Sequence, residues 1–164
     1  MKNYKIIKKN FGITLIEFLI IIIIIAILTN IGISAWERFY EINEYNNNIM
    51  AVEYTINKSK IIAMEKTINI GICIDSENNQ IIVYEIGYER NNNPCSGTRL
   101  FTVKPKGEGT QISSSGIIIF DPRGLNIMDE GDICIQNTKL NTYYKIVIGK
   151  GYQKIEKGKG LCPS

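Results

Sequence analysis

Residues 18–36 contain no charged side chain, and this run restricts the possible folds of the chain more than any other feature. The run reads FLIIIIIIAILTNIGISAW and is 19 residues long. An α-helix needs roughly 20 apolar residues to cross a bilayer. The run is too long for the apolar part of a secretory signal peptide, and no small-x-small cleavage motif follows it. The sequence therefore predicts a membrane-spanning helix near the N-terminus.

Basic residues precede this run. Lys2, Lys5, Lys8 and Lys9 are the only charged residues among the first twelve, which leaves 15 basic against 16 acidic residues in the rest of the chain. Because lysine and arginine are enriched on the cytoplasmic side of membrane spans, the N-terminus is predicted to be cytoplasmic and the remainder exported. The near-neutral remainder gives no general reason to expect nucleic-acid binding.

The predicted helix continues beyond the apolar run. Residues 37–66 carry apolar side chains three or four positions apart, or at the sum of these steps, which places them on one face of an amphipathic helix. These residues are Phe39, Ile42, Tyr45, Ile49, Val52, Ile56 and Ala63. We therefore expect one helix from about residue 14 to about residue 66, about 80 Å long at the usual rise per residue.

After the helix, the apolar period changes to two, which is typical of strands. Strands are predicted at residues 67–75, 80–88, 99–104, 116–120, 132–136 and 143–149, with a last one around 153–155. One long helix followed only by strands predicts an α+β fold, with an antiparallel β-sheet packed on the helix stripe. The predicted organisation is a transmembrane half of the helix over residues 13–36 and a globular head over residues 37–164.

The motif Gly12-Ile13-Thr14-Leu15-Ile16-Glu17, behind a short lysine-rich segment, resembles the class III leader of type IV pilins and type II secretion pseudopilins. In that family a prepilin peptidase cleaves after the glycine and methylates the new N-terminus. The resemblance implies that residues 1–12 are a leader peptide, that cleavage occurs between Gly12 and Ile13, and that Ile13 is N-methylated. It also implies insertion in the bacterial inner membrane, with a periplasmic head.

Glu17 is an unexpected residue for a membrane segment, because a carboxylate in hydrocarbon costs roughly 2.5–3.5 kcal/mol even on lenient scales. After cleavage it would be the fifth residue, where the family has its glutamate. The resemblance implies that this carboxylate faces the N-terminal amine of a neighbouring subunit during assembly. The alternative is an ordinary signal anchor with an acid near its edge.

The segment FDPRG, residues 120–124, resembles the Phe-x-x-x-Gly turn of the GspH/FimT group of minor pilins and pseudopilins. It also has the composition of an ordinary β-turn, with Asp first, Pro second and Gly fourth. The resemblance implies the pilin fold and a role as a subunit of a type IV pilus or a type II secretion pseudopilus. Other pilin subunits, the prepilin peptidase and the membrane are the implied partners. The sequence does not distinguish the two filaments.

The four cysteines are an even set in a head that is predicted to be exported. Four cysteines allow three pairings. Their order and the C-terminal pattern of the family favour Cys134–Cys162, with Cys73–Cys95 as the second disulfide. The alternative is four buried free thiols.

Several kinds of chemistry are disfavoured. The chain contains no histidine, so Ser-His and Cys-His catalysis is excluded and a zinc site is not expected. Asp129, Glu130 and Asp132 are interpreted as a solvated acidic loop rather than a cation site. The sequence therefore predicts no enzymatic activity, no cofactor and no metal.

A DNA-binding minor pilin, acting as a receptor in natural transformation, is the alternative function. Receptors of the FimT type use a Gly-Arg-x-Arg motif near the C-terminus, but the aligned residues 151–154 read Gly-Tyr-Gln-Lys and lack both arginines. The basic tail around Tyr152 would bind phosphates weakly and with strong salt dependence; its lysines are Lys150, Lys154, Lys157 and Lys159. Solvated lysines on an exposed sheet edge explain this composition equally well.

Overall fold

The computed structural model describes residues 14–89 and 91–163. The chain divides into two compact units, Met1–Phe39 and Tyr40–Ser164. Within the described residues a single helix, α1 (Leu15–Lys66), is followed only by strands. The predicted α+β fold with a long N-terminal helix is therefore confirmed, and the helix ends are within one residue of the predicted ones.

In the first unit, α1 contains a stretch, residues 18–25, that is apolar on every side. The eight consecutive side chains from residue 18 to residue 25 are each between 42% and 58% exposed. Because consecutive residues of an α-helix are about 100° apart, these eight side chains cover all directions around the helix axis. The sequence predicts a membrane span over residues 13–36. Among the described residues, no helix has the length and hydropathy that crossing a membrane requires.

In the second unit, most of the predicted stripe of α1 is buried in the core. Tyr45, Val52, Ile56 and Ala63 are at most 7% exposed, whereas Ile42 remains 41% exposed. The predicted stripe is thus correct from residue 45 onward. The same buried face also includes polar residues that the apolar pattern did not reveal, namely Asn48, Thr55 and Ser59.

The strands form two antiparallel sheets. In chain order they are β1 (Asn69–Asp75), β2 (Gln80–Gly87), β3 (Thr98–Val103), β4 (Thr110–Gly116), β5 (Ile118–Phe120), β6 (Glu130–Asn137), β7 (Thr142–Gly149) and β8 (Gln153–Lys159). The first sheet has the order β3-β2-β1-β5 and the second β4-β6-β7-β8. The prediction of one sheet was wrong, and β4 was missed because its sequence, TQISSSG, is mostly polar.

Isoleucines fill the core between α1 and the two sheets. Ile70, Ile81, Ile133, Ile135 and Ile146 are all completely buried, and they belong to the same cluster as the buried residues of α1. Fully burying one such side chain contributes roughly 1.5–3 kcal/mol. The period of two in the strand sequences places these residues on the faces that pack against the helix.

Two disulfides join loops to the strands. Cys73 in β1 is bonded to Cys95, and Cys134 in β6 is bonded to Cys162 near the C-terminus. This is the pairing that sequence order and the family resemblance favoured. The loop around Cys95 lies against β1 so closely that a Cβ on Gly71 would be 2.3 Å from the carbonyl oxygen of Pro94. Glycine is therefore required at position 71.

Candidate functional site

Glu17, the predicted assembly residue, lies in the first turn of α1. Thr14 precedes the helix, and its Oγ1 accepts a hydrogen bond from the backbone N–H of Glu17 at 3.3 Å. Residues 14–17 therefore have the Thr-x-x-Glu sequence of a capping box. A carboxylate in the first turn also interacts favourably with the helix dipole. The sequence analysis missed this local role, although the four-residue pattern indicates it.

The side chain of Glu17 is exposed. It forms no salt bridge with any other residue that the structure describes. The predicted cleavage site, Gly12 and Ile13, lies outside the described residues. An exposed carboxylate without a salt bridge to its own chain can form one with a cationic group of another chain.

The turn at residues 120–124 forms as the sequence predicts. The backbone N–H of Gly124 donates to the carbonyl oxygen of Asp121 at 2.8 Å, and Gly124 has a φ of +76°. One carboxylate oxygen of Asp121 accepts the backbone N–H groups of Arg123 and Leu125, and the other accepts the Arg123 guanidinium. Burial raises the pKa of Asp121, but these hydrogen bonds outweigh burial and hold the pKa below its ordinary value. The turn is thus stabilised by its own residues.

The basic tail does not form one continuous basic surface. β8 is an edge strand of the second sheet and pairs with β7. Because side chains alternate along a strand, Lys157 and Lys159 lie on one face of the sheet and Lys154 on the other. Lys154 forms a salt bridge with Glu156 at 2.8 Å, and Lys150 pairs with an aspartate. Two of the four lysines therefore have an acidic partner.

Tyr152, the aromatic residue of this tail, packs against the backbone. A Cβ on Gly149 would be only 2.2 Å from the Tyr152 ring. The Tyr152 hydroxyl donates to Glu130 at 3.3 Å, and the negative charge of Glu130 is the main cause of a raised pKa of Tyr152. One face of the ring is therefore covered, which leaves less of it for stacking with a base.

The acids at positions 129, 130 and 132 have different environments. Asp129 is exposed and pairs with Lys150. Asp132 is 7% exposed and forms a salt bridge with Lys145 at 2.9 Å. The prediction of a solvated loop was therefore wrong for Asp132, whose carboxylate is buried in β6, where it bonds to Ser115 and Lys145. Among the described residues, no group of three His, Cys, Asp or Glu side chains is arranged to hold a metal.

Two solved structures have a fold similar to that of this chain. The minor pseudopilin EpsH of the type 2 secretion system of Vibrio cholerae aligns with a TM-score of 0.51 at 11% identity, over 69% of this chain and 96% of EpsH. The type IV minor pilin FimU of Pseudomonas aeruginosa aligns with a TM-score of 0.53 at 13% identity, over 72% of this chain and 92% of FimU. No protein-family model and no curated protein matches the sequence. At these identities the similarity concerns the fold, and this chain has the pilin fold.

Proposed function

We propose that this chain is a minor pilin or pseudopilin of the GspH/FimT type, a subunit assembled into a type IV pilus or a type II secretion pseudopilus. The observation that carries the proposal is a pilin-fold head and a long helix that is apolar on every side over residues 18–25 and carries Glu17 in its first turn. The leader motif at residues 12–17 gives independent support from the sequence.

In the proposed life cycle, the precursor inserts in the bacterial inner membrane through residues 13–36, with the head (residues 37–164) in the periplasm. A helix that is apolar all round must be buried in lipid or among other helices, and the same surface serves in both states. Prepilin peptidase then removes residues 1–12 and methylates Ile13. The mature subunit leaves the bilayer as its helix packs among those of its neighbours.

Glu17 is proposed to pair with the N-terminal amine of Ile13 in a neighbouring subunit. Two opposite charges in an apolar environment stabilise each other, whereas either one alone is strongly disfavoured there. The hydrogen bond from the Glu17 N–H to Thr14, within a Thr-x-x-Glu sequence, indicates a second role for Glu17, which is to stabilise the start of α1 within its own chain. The two roles predict different behaviour for substitutions at this position.

Glu17→Gln removes the negative charge but keeps the ability to cap the helix, because glutamine also serves at the last position of a capping box. We expect both Glu17→Gln and Glu17→Val to insert in the membrane but to be depleted from the sheared filament fraction. Quantitative immunoblotting of membrane and filament fractions measures this. Glu37→Val, at an exposed helix position outside the motif, is the matched control and should be incorporated normally. Full incorporation of Glu17→Gln would show that no charge pairing is needed.

Processing is tested separately at Gly12. Replacing Gly12 with alanine or a larger residue should leave the leader attached and the protein retained in the membrane. Mass spectrometry of the mature chain measures both the loss of residues 1–12 and the added methyl group. A chain processed normally despite this substitution would contradict the pilin proposal.

The DNA-receptor alternative has less support. Lys150 and Lys154 are paired with acids, and Lys154 lies on the opposite face of β8 from Lys157 and Lys159. Binding of DNA by the head should therefore be weak and should fade between low and physiological salt. Fluorescence anisotropy with labelled DNA at both salt concentrations tests this. Nanomolar binding at physiological salt would favour the receptor function.

A further inference from the structure

Lys60, on the second half of α1, is a half-buried lysine without an acidic partner. Its Nζ donates to Oε1 of Gln153 at 3.2 Å and lies 5.4 Å from the centroid of the Phe120 ring. No carboxylate is within 4.0 Å of this Nζ in the part of the chain that the structure describes. Burial lowers the pKa of Lys60, and no neighbouring charge opposes that effect. A charged group in this environment is stabilised when an anion approaches it.

A cavity of about 140 Å³ lies next to this ammonium group. A water molecule needs only about 10–15 Å³ by the same measure, so the cavity accommodates a small group together with water. Among the described residues, Lys60 is the only charged one in its lining. The remaining wall includes Tyr152, Gln153 and the glycines at positions 149 and 151. The described lining therefore carries one positive charge and no negative charge, and Glu130 lies outside it, bonded to the hydroxyl of the lining residue Tyr152.

The hydrogen-bond donors of this cavity fit a small anion with a single charge. An ammonium group has three donors, and only one of those of Lys60 is used, by Gln153. The backbone N–H of Gly149 is already bonded to the carbonyl oxygen of Tyr152. A phosphate dianion is usually held by several cationic groups, whereas the described lining contains one, Lys60. One ammonium group supplies the single positive charge that a carboxylate requires, and its remaining donors can bond a carboxylate oxygen.

We propose that this cavity binds a single carboxylate group, with the Lys60 ammonium as its charge partner. The carboxylate belongs either to a free small acid or to an acidic side chain of another protein, since both present the same two oxygens. This site does not depend on the proposed assembly role, because it uses none of residues 12–17. Its failure and the failure of that role are therefore distinguishable.

Lys58 provides a matched comparison on the same helix. Its Nζ lies 4.4 Å from the centroid of the Phe101 ring and 5.7 Å from that of Tyr54, and it also has no acidic partner among the described residues. It does not line the cavity. A general response of half-buried lysines to added anions would therefore affect Lys58 and Lys60 equally, whereas binding in the cavity affects Lys60 alone.

The test uses the full chain, labelled with ¹⁵N-lysine and held in a non-ionic detergent, with ammonium signals recorded by ¹H–¹⁵N NMR in slightly acidic solution. Loss of a signal in Lys60→Met and in Lys58→Met assigns the two resonances. Sodium acetate is titrated at constant ionic strength against sodium chloride. We expect a saturable shift of the Lys60 signal with acetate alone and no matching shift of Lys58. An equal response to chloride, or an equal shift of Lys58, would overturn the proposal.

A second variant adds bulk at a lining position and leaves the charge in place. A Cβ on Gly151 would meet no atom within 4 Å, so Gly151→Leu should fold and place a large side chain at this lining residue. We expect its Lys60 signal to remain but to lose the acetate response. A capped peptide with a single glutamate identifies the source. A larger shift of the Lys60 signal with this peptide than with acetate indicates a protein side chain. A smaller shift indicates a free acid. A larger response to inorganic phosphate than to either would refute the carboxylate assignment.

Discussion

Replacing Asp132 with alanine is expected to destabilise the head by roughly 2–4 kcal/mol. Asp132 accepts hydrogen bonds from the backbone N–H and the hydroxyl of Ser115, at 2.8 and 2.7 Å, and pairs with Lys145. The side chain of Lys145 is only 12% exposed, so the substitution leaves a nearly buried cation without its counter-charge. Breaking a buried pair costs about 3–5 kcal/mol. The expected loss is smaller because the Lys145 ammonium still donates a hydrogen bond to the carbonyl oxygen of Pro163 at 2.9 Å.

A double-mutant cycle isolates the pair. Lys145→Met removes the cation and keeps most of the side-chain length, so Asp132→Ala combined with Lys145→Met leaves no unpaired charge. We expect the double variant to lose less stability than the two single variants together, by about 1–3 kcal/mol. Asp129→Ala is the matched control, because it is the same substitution three residues away at an exposed pair. Asp129 and its partner Lys150 are 94% and 61% exposed, and exposed salt bridges contribute at most about 1 kcal/mol.

The assay is urea unfolding of residues 40–164, which form one compact unit, followed by circular dichroism at neutral pH. The free energy of unfolding of each variant is compared with that of the parent head. Two results would refute the reasoning. One is a loss for Asp132→Ala no larger than that for Asp129→Ala. The other is a double variant whose loss equals the sum of the single losses.

Three further predictions concern the same head. Asn48→Ala should cost roughly 2–3 kcal/mol in urea unfolding, because the buried Asn48 amide makes two 2.8 Å hydrogen bonds with the backbone of Lys106; a loss near zero would contradict this. Cys162→Ser opens a bridge with a sequence separation of 28 residues and should cost about 3–4 kcal/mol in the chain-entropy model, measured by the same assay. The pKa values of Asp121 and Asp132 are lowered on folding, so their stabilisation is complete above their ordinary pKa of about 4 and is lost as the pH falls through the lower folded values. A urea midpoint that stays constant down to pH about 2 would disprove this last expectation.

Periodicity predicted the apolar elements correctly because burial imposes it. The stripe of α1 and the alternating isoleucines of β1, β6 and β7 were visible in the sequence for that reason. β4 was not visible. It lies at the edge of its sheet, where only Thr110 and Ile112 are buried, so most of its positions carry no apolar signal. An edge strand of this kind is defined by its pairing with β6, which no local pattern encodes.

Buried polar contacts were equally invisible in the sequence. The Asn48 side chain bonds to a backbone 58 residues away, and the Asp132 carboxylate bonds to Ser115, 17 residues away. Asparagine and aspartate are mostly exposed in proteins, so either residue in a sequence indicates exposure unless its tertiary partner is known. The Thr14–Glu17 capping box is the opposite case. It is local, so the Thr-x-x-Glu pattern in the sequence is sufficient to predict the hydrogen bond between Thr14 and Glu17.

The turn at residues 120–124 can be explained by structure alone, although it resembles a motif of the GspH/FimT group. Phe120 is completely buried in the core and ends β5, a strand of the first sheet. A few residues later, Asn126 accepts the backbone N–H of Ile119 at 3.1 Å and donates to the carbonyl oxygen of Ile148 in β7 at 3.0 Å. One buried side chain thus joins the two sheets just beyond the turn. Because Gly124 adopts a positive φ and Asp121 binds the backbone that follows it, the turn delivers Asn126 to this position. Packing of the two sheets therefore accounts for an Asp and a Gly in this turn without any contact to a partner.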